Sequence, residues 1–261
     1  MSVLFKPVWG AGLRGVWIVW LSLLLLPPIA HGQPVDVPLL TYHTHPPFIL
    51  NEDQGLSHDL ARWLTQQSEG RYRFTVQSVS RPYLNRWLTT EQVALVPWVH
   101  PVWFKDKAQH RYHWSQIPLM KGDSNVLVAR KDRLTSYSGP ASLDGLVLGG
   151  VYGHHYKAID PYIERSGALR RVNASNLQDN INKLLNGHVD VTLMPRSAAR
   201  YFLAQLSSAD SPLHVLPQQH QVYDRYLMVA GGNADLKHWV NQQLANKTYY
   251  ARWQAYVARY Q

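Results

Sequence analysis

The sequence predicts an α/β fold made of two lobes. Short apolar strands alternate with amphipathic helices between about residues 37 and 99, and a second series of the same kind runs from about 125 to 206. Strands that alternate with helices are typical of parallel sheets covered by helices. No long linker, internal repeat or low-complexity tract separates the two series. We therefore expect the chain to cross directly from one lobe to the other and back.

The first 32 residues have the layout of a cleavable secretory signal. A basic start with Lys6 and Arg14 precedes the apolar stretch Val16–Leu26, and small residues end the segment. The apolar stretch is shorter than the roughly 20 residues that a membrane-spanning helix needs. We expect cleavage before Gln33 and an exported mature protein.

Composition excludes several classes of protein. The chain has 261 residues and is 46% hydrophobic, which is enough for a substantial core and argues against disorder. The absence of cysteine excludes a disulfide scaffold, a thiol nucleophile and a lipid-modified N-terminal cysteine. The net charge is +9, but the basic residues are scattered and form no nucleic-acid-binding patch or module. We interpret the charge as a solvated surface and expect no nucleic-acid partner.

The first series opens with a strand at residues 37–42 that leads into a loop rich in histidine and aromatic residues. The other predicted elements are helices at 56–67 and 82–89 and strands at 74–79 and 93–99. Loops at the strand ends of α/β sheets are common ligand sites. The loop therefore supplies three candidate ligand contacts, Tyr42, His45 and Phe48. A packed loop with solvent-exposed histidines is the alternative.

The second series is followed by a return segment rich in aromatic residues. Its predicted strands lie at 125–129, 146–151, 170–172 and 189–194, and its helices at about 156–165, 177–186 and 197–206. A strand at 226–230 and helices at 235–244 and 249–260 then close the chain.

Five segments carry a family resemblance, and they are Pro46–Ala61, Trp114–Pro118, Ser142–Gly153, Leu184–Val191 and Leu236–Leu244. All five resemble segments of a single protein family, in the same order along the chain. They correspond to its first loop and helix, the segment before its crossover, the start of its second lobe, a Leu-x-x-Gly-x-x-Asp motif and its closing helix. That family is the type II periplasmic solute-binding proteins of family three, best known for amino-acid uptake. The resemblance covers nearly all of the mature chain.

The resemblance implies two lobes joined by two crossing strands, here Ser124–Arg130 and Val222–Ala230, with solute held in the cleft between the lobes. It divides the chain into a leader at 1–32, lobe 1 at 33–124, lobe 2 at 125–222 and a return to lobe 1 at 223–261. It also implies a periplasmic, monomeric protein without a cofactor. Such a protein delivers a small ligand to an inner-membrane ABC-type permease or to a sensor.

The chain departs from the family where the family binds an amino acid. The family's carboxylate-binding Arg is missing from residues 102–108, where Lys107 is a point charge that cannot form the bidentate fork. Pro195 stands where the family has the Asp that binds the ligand ammonium group. Trp98 and His100 match a Gly and a Thr of the family's cleft wall. We therefore expect a ligand other than a free α-amino acid.

The bulky residues predict the chemistry of the ligand. Trp98, His100, Trp103 and Phe104 either stack on a flat or apolar ligand or fill the cleft and abolish binding. Arg81 replaces an aromatic wall residue of the family and is a candidate anion contact, with a solvated Arg as the alternative.

Gly153 and His154 lie where the second lobe of the family offers helix N-terminal amides to an anionic group. Together, these residues favour a ligand with an aromatic, planar or anionic part.

Metal and catalytic motifs are missing. The 13 histidines form no HExxH motif and have no cysteine or carboxylate cluster beside them, so we expect no metal. No nucleophile elbow, phosphate-binding loop or dinucleotide fingerprint occurs, so we expect neither an enzyme nor a cofactor. Two alternatives remain. One is a degenerate relative that contacts an envelope protein, and the other is a periplasmic lyase or dehydratase with Asp106 or His100 as acid or base.

Overall fold

The computed structural model describes residues 1–4, 33–109, 111–206 and 211–260. Most of the predicted leader, residues 5–32, therefore lies outside the described residues. Within the described ranges, no helix has the length and apolar character needed to cross a membrane.

The strands are β1 (Val35–Thr41), β2 (Tyr72–Ser78), β3 (Ala94–Val99), β4 (His113–Trp114), β5 (Met120–Arg130), β6 (Val147–Val151), β7 (Arg170–Ala174), β8 (Val191–Pro195) and β9 (Leu213–Ala230). The helices are α1 (Leu56–Gln67), α2 (Arg81–Trp87), α3 (Ile159–Ser166), α4 (Leu177–Leu185), α5 (Arg196–Ala204), α6 (Ala234–Ala245) and α7 (Lys247–Ala258). Two 3-10 turns lie at Pro101–Phe104 and Pro140–Leu143.

Lobe 1 is built on a sheet with the strand order β2-β1-β3-β9, and β4 also pairs with β9. β1 runs parallel to β2 and β3, whereas β9 runs antiparallel to β3. Every residue of β3 is buried because side chains cover both faces of the sheet. Leu95 packs in the cluster formed with α1, α6 and α7, and Val96 packs in the cluster that contains Leu84 of α2.

Lobe 2 continues from the other side of β9, with the strand order β9-β5-β8-β6-β7. β6 runs parallel to β7 and β8, and β5 runs antiparallel to β8 and β9. Helices α4 and α5 cover one face, and α3 covers the other. The predicted α/β architecture of two lobes is therefore confirmed, and β9 belongs to both sheets.

Most elements lie where the sequence predicts them, with three exceptions, the first of which is β5, which begins at Met120 and not at residue 125. Helix α1 has the predicted bounds, 56–67. The prediction of a last strand at 226–230 is too short, because β9 begins at Leu213. Its first half alternates weakly between apolar and polar residues, so the strand is set by pairing with β5 and not by a visible period. Strand β4, only two residues long, is also missing from the sequence prediction.

The predicted crossing strands correspond to β5 and β9, which pair antiparallel from Met120 opposite Arg225 to Arg130 opposite Leu213. The lobe boundaries at residues 124 and 222 stay a prediction.

Candidate functional site

A cavity of about 410 Å³ lies between the two lobes. Residues from lobe 1, from lobe 2 and from the crossing strands line it; they are Tyr42, His43, His45, Arg81, Trp103, Asn125, His154, His155, Tyr156, Leu177, Leu193, Met194, Pro195, Gln221, Tyr223 and Arg225. Its volume is within the range of small-molecule sites, about 300–1,000 Å³. We call this cavity the cleft.

A larger and more open concavity of about 830 Å³ lies elsewhere on lobe 1, where β9 ends and α6 begins. The cleft is the stronger candidate because it lies beyond the carboxyl end of β1, the edge at which α/β sheets bind ligands. Among the described residues, it also gathers four histidines, whereas one lines the larger concavity.

The lobe 1 wall of the cleft consists of Tyr42, His43, His45, Arg81 and Trp103. The first three follow β1, Arg81 begins α2, and Trp103 lies in the 3-10 turn after β3. The rings of this wall pack on one another. His43 lies 4.2 Å from Tyr42, 5.9 Å from His45 and 6.0 Å from Trp103 between ring centroids. This packing restricts each ring to one position.

Arg81 is held in place without a carboxylate. Its Nη2 donates to the Trp103 carbonyl oxygen at 2.9 Å, and its Nε donates to Asn85 Oδ1 at 3.0 Å. The guanidinium carbon lies 4.0 Å from the centre of the Phe104 ring, a cation–π contact. Arg81 makes no ion pair with any carboxylate in the described ranges. Its positive charge therefore remains available to a ligand.

The floor of the cleft is an ion pair between the crossing strands. Arg225 of β9 is 1% exposed and donates from Nε to Asp123 Oδ2 of β5 at 2.7 Å. It also donates to the Trp98 carbonyl oxygen at 3.0 Å and to the Tyr223 hydroxyl at 3.2 Å. Asp123 accepts from the Ser197 hydroxyl at 3.1 Å, at the start of α5. One network thus joins β3 of lobe 1 to α5 of lobe 2.

The histidines of the lobe 1 wall are neutral. Burial is the main cause that lowers the pKa of His45 to about 4. Burial, followed by the charge of Arg225, holds the pKa of His43 well below its ordinary 6.5. Burial and then Arg171 lower the pKa of His154. Near pH 7 the rings of His43, His45 and His154 are therefore imidazoles, not imidazolium ions.

The lobe 2 wall is mainly aliphatic. It contains Leu177, Leu193, Met194 and Pro195, with Tyr156 and the pair of histidines beside them. Pro195 lies on this wall at the position where the resemblance places an Asp. Among the described residues, the cleft lining includes no Asp or Glu; its charged side chains are Arg81 and Arg225, and the charge of Arg225 is balanced by Asp123. The lining therefore offers no carboxylate to the ammonium group of an amino acid.

Four predicted site residues line the cleft, namely Tyr42, His45, Arg81 and His154. The structure brings them together from both lobes, and their contact with a ligand stays a prediction.

Two other predicted residues are core residues. Phe48 and Trp98 are both 0% exposed, and their ring centroids lie 4.8 Å apart. A bulge between Val96 and Val99 turns Trp98 inward, where its indole nitrogen donates to Ser57 Oγ at 2.9 Å. This placement corrects the expectation that Trp98 narrows the cleft. Both rings instead support the cleft from behind.

The remaining predicted residues also lie off the cleft. His100 caps the 3-10 turn, where its Nδ1 accepts from the Val102 amide at 3.2 Å. Lys107 is exposed and does not line the cavity. Gly153 lines a neighbouring concavity on lobe 2. None of these three residues lines the cleft in this structure, and their contact with a ligand stays a prediction.

The two candidate acid–base residues of the enzyme alternative are also outside the cleft. Asp106 is 5% exposed and accepts from the Trp114 indole nitrogen at 2.7 Å and from the amides of Arg111 and Tyr112. Its carboxylate therefore orders the segment before β4. Within the described ranges, no three histidine or carboxylate side chains converge in a way that could hold a metal ion.

Sequence reasoning missed the contribution of the crossing strands. Asn125, Gln221, Tyr223 and Arg225 line the cleft and belong to β5 or β9. The available signal is an arginine within an apolar run at the end of β9, since a charged side chain in a buried strand needs a partner.

Comparisons with known proteins identify the fold. No protein-family model and no curated protein sequence matches the chain. An ancestral arginine-binding protein bound to arginine is 15% identical with a TM-score of 0.66, covering 85% of this chain and 97% of the other. A Salmonella typhimurium periplasmic binding protein with high arginine specificity is 17% identical with a TM-score of 0.62, covering 85% and 98%. A double mutant of the Bordetella pertussis BvgS VFT2 domain is 18% identical with a TM-score of 0.60, covering 87% and 93%. The chain therefore has the two-lobe fold of the type II periplasmic binding proteins, as its motifs predict.

Proposed function

We propose that this protein is a periplasmic solute-binding protein whose cleft binds a small carboxylate with a planar or aromatic part. The observation that carries the proposal is the charge of the described cleft lining, in which Arg81 has no carboxylate partner and no Asp or Glu lines the cavity, while Arg225 is balanced by Asp123 beneath it. The fold it shares with arginine-binding proteins supports binding between the lobes. The chemistry of this lining favours a ligand different from theirs.

Arg81 is the proposed anion contact. Its two hydrogen bonds to Asn85 and Trp103 fix the guanidinium, and no described carboxylate neutralises it. Arginine has five N–H donors, so donors remain for a ligand oxygen. A hydrogen bond to a charged group contributes about 1.5–3 kcal/mol, which is enough to select for an anion.

A free α-amino acid fits this cleft poorly. Its ammonium group would lose water on entering and would find no carboxylate in the lining. Arg81, whose charge no described carboxylate balances, would also repel it. The aromatic rings of Trp103 and Tyr223, whose centroids lie 5.1 Å apart, offer a surface for a flat ligand instead.

We further propose that the leader is cleaved before Gln33 and that the mature protein acts as a monomer with the predicted lobe boundaries. The partner is an ABC-type permease or a sensor. Structures of the same fold include the substrate-binding protein of an amino acid ABC transporter and the BvgS VFT2 domain. The cleft volume of about 410 Å³ argues against the alternative in which bulky residues fill the site.

The test compares a carboxylate with the amino acid that differs from it only by an ammonium group, and includes arginine as a second amino acid. 3-Phenylpropionate is phenylalanine without its ammonium group. We expect 3-phenylpropionate to raise the thermal unfolding midpoint of the protein from Gln33 onward, because a ligand that binds only the folded state stabilises it. We expect phenylalanine and arginine to leave the midpoint unchanged.

Variants of Arg81 test whether its side chain binds the carboxylate of 3-phenylpropionate. Arg81→Gln should weaken 3-phenylpropionate binding at least tenfold by calorimetry, whereas Arg81→Lys should retain part of it. Arg86→Gln, on the exposed face of the same helix, is the matched control. Binding of phenylalanine as tight as that of 3-phenylpropionate would contradict the proposal. No response to any carboxylate would favour the alternative of a protein-contacting relative.

A further inference from the structure

We propose that His45 makes the cleft selective for carboxylates that also carry a hydroxyl or another uncharged hydrogen-bond donor. The inference rests on the proposed function and names the ligand class more narrowly. It depends on the tautomer, the orientation and the surroundings of one imidazole ring.

The backbone fixes the tautomer of His45. Its Nδ1 lies 2.8 Å from the carbonyl oxygen of Pro46. A carbonyl oxygen can only accept, so Nδ1 must carry the hydrogen. In a neutral imidazole the other nitrogen is then a bare acceptor. Nε2 of His45 therefore presents a lone pair.

The ring cannot turn to find a protein donor. The His45 carbonyl oxygen accepts from the amides of Phe48 at 3.0 Å and Ile49 at 3.3 Å, which closes the loop around it. The imidazole packs edge-to-face on the buried Phe48 ring at 5.2 Å and on His43 at 5.9 Å. His45 lines the cleft, and no described donor reaches its Nε2.

The surroundings keep this ring uncharged near neutral pH. Burial lowers its pKa, as does the charge of Arg225, whereas Asp123 and the Pro46 carbonyl act in the opposite direction. His43, its neighbour on the same loop, is neutral for the same reason. His45 therefore accepts a hydrogen bond and does not attract an anion.

These facts divide the polar groups of the ligand between two side chains. The carboxylate goes to Arg81, the donor of the wall, and a hydroxyl goes to Nε2 of His45, its acceptor. A ligand without a donor would displace water from Nε2 and leave the lone pair unpaired, so it should bind more weakly than the analogue that carries the donor. An ammonium group is a poor substitute because the guanidinium group of Arg81, which has no described carboxylate partner, lines the same cleft.

The test uses ring-hydroxylated 3-phenylpropionates and 3-phenyllactate, each beside its O-methyl counterpart. The methyl ether keeps the oxygen and removes the donor. By calorimetry at pH 7, we expect at least one hydroxyl compound to bind about 3- to 10-fold tighter than its ether. The His45→Phe variant keeps a flat ring without an acceptor, so the ratio of the affinities for the hydroxyl compound and its ether should fall to about 1. The exposed His188, changed to Phe, is the control for substitution outside the cleft.

A second measurement does not depend on a variant. Long-range ¹H–¹⁵N spectra of protein labelled at histidine report which ring nitrogen carries the hydrogen. We expect His45 as the Nδ1–H tautomer, with its Nε2 signal shifted by the hydroxyl compound and not by the ether. An Nε2–H tautomer, or a donor preference that persists in a folded His45→Phe variant, would overturn the inference. Ethers and hydroxyl compounds that bind equally well would overturn it while leaving the proposed function intact. If none of these carboxylates binds, the proposed function fails as well.

Discussion

The lobe 1 wall of the cleft holds its polar side chains through contacts with its own backbone, whereas the lobe 2 wall offers mostly aliphatic side chains. Arg81 donates to the Trp103 carbonyl and His45 contacts the Pro46 carbonyl, so both are fixed before a ligand arrives. Leu193, Met194 and Pro195 of lobe 2 offer shape but no charge. Under the proposed function, lobe 1 therefore recognises the polar groups of the ligand and lobe 2 covers its apolar part.

The largest effect should come from cutting the floor that joins the two walls. Asp123→Asn leaves Arg225 buried without its carboxylate. Loss of one partner of a buried ion pair costs about 3–5 kcal/mol, because the other charge stays desolvated. Urea denaturation should show this decrease in the free energy of unfolding.

A matched control is the exposed pair of Asp36 and Arg73, which joins β1 to β2. Asp36→Asn should change the free energy of unfolding little, since exposed ion pairs contribute little. The double variant Asp123→Leu with Arg225→Met should recover part of the loss. Equal effects at the two sites would show that the floor is not a desolvated pair.

The second largest effect should be a pH dependence of the free energy of unfolding, caused by the histidines of the lobe 1 wall. The pKa of His45 is about 4 in the folded protein and near 6.5 in the unfolded chain. Between these values the unfolded chain binds the proton and the folded protein does not, so stability falls as the pH falls. From pH 7.5 to 5, His45 alone should lower the free energy of unfolding by about 2 kcal/mol. His43 acts in the same direction.

Denaturation of the native protein and of His45→Gln at both pH values measures this contribution. The glutamine does not titrate, so the variant should lose less stability on acidification than the native protein. Identical losses would mean that His45 is protonated in the folded protein at pH 5.

The smallest expected effect is on ligand selectivity, from a substitution that gives the lobe 2 wall a charged side chain as well. Pro195→Asp places a carboxylate on the lobe 2 wall, at the residue before α5, where aspartate is a favourable helix cap. Binding of phenylalanine relative to 3-phenylpropionate should then rise about tenfold by calorimetry. Pro195→Asn is the uncharged control. A similar increase in both variants would mean that the gain comes from the lost proline and not from the charge.

The amphipathic elements are predictable because their residues face one core. Helix α1 shows its period in Leu56, Leu60 and Leu64, which are all 0% exposed. β9 is not predictable in this way, since its first half is set by pairing with β5.

The candidate site is only partly predictable. Tyr42 and His45 are found because they follow a strand, and Arg81 because it departs from the family pattern. Trp98 could not be placed from sequence, since a bulge decides whether its ring points to the cleft or to the core. Arg225 requires knowledge of its partner, Asp123, which lies 102 positions earlier in the chain.

The position of β9 in both sheets has a consequence for how the molecule assembles. The chain leaves lobe 1 along β5 and returns along β9, and these two strands are paired, with Met120 opposite Arg225. Lobe 2 is therefore inserted into the sequence of lobe 1. Until the end of β9 has been synthesised, β3 lacks one of its two neighbours and the core of lobe 1 lacks α6 and α7. The part of β9 that pairs with β5 precedes the part that pairs with β3, so lobe 2 can complete its sheet first. Although domains commonly fold from the N-terminus onward during synthesis, we expect the inserted lobe here to fold before the lobe that contains it.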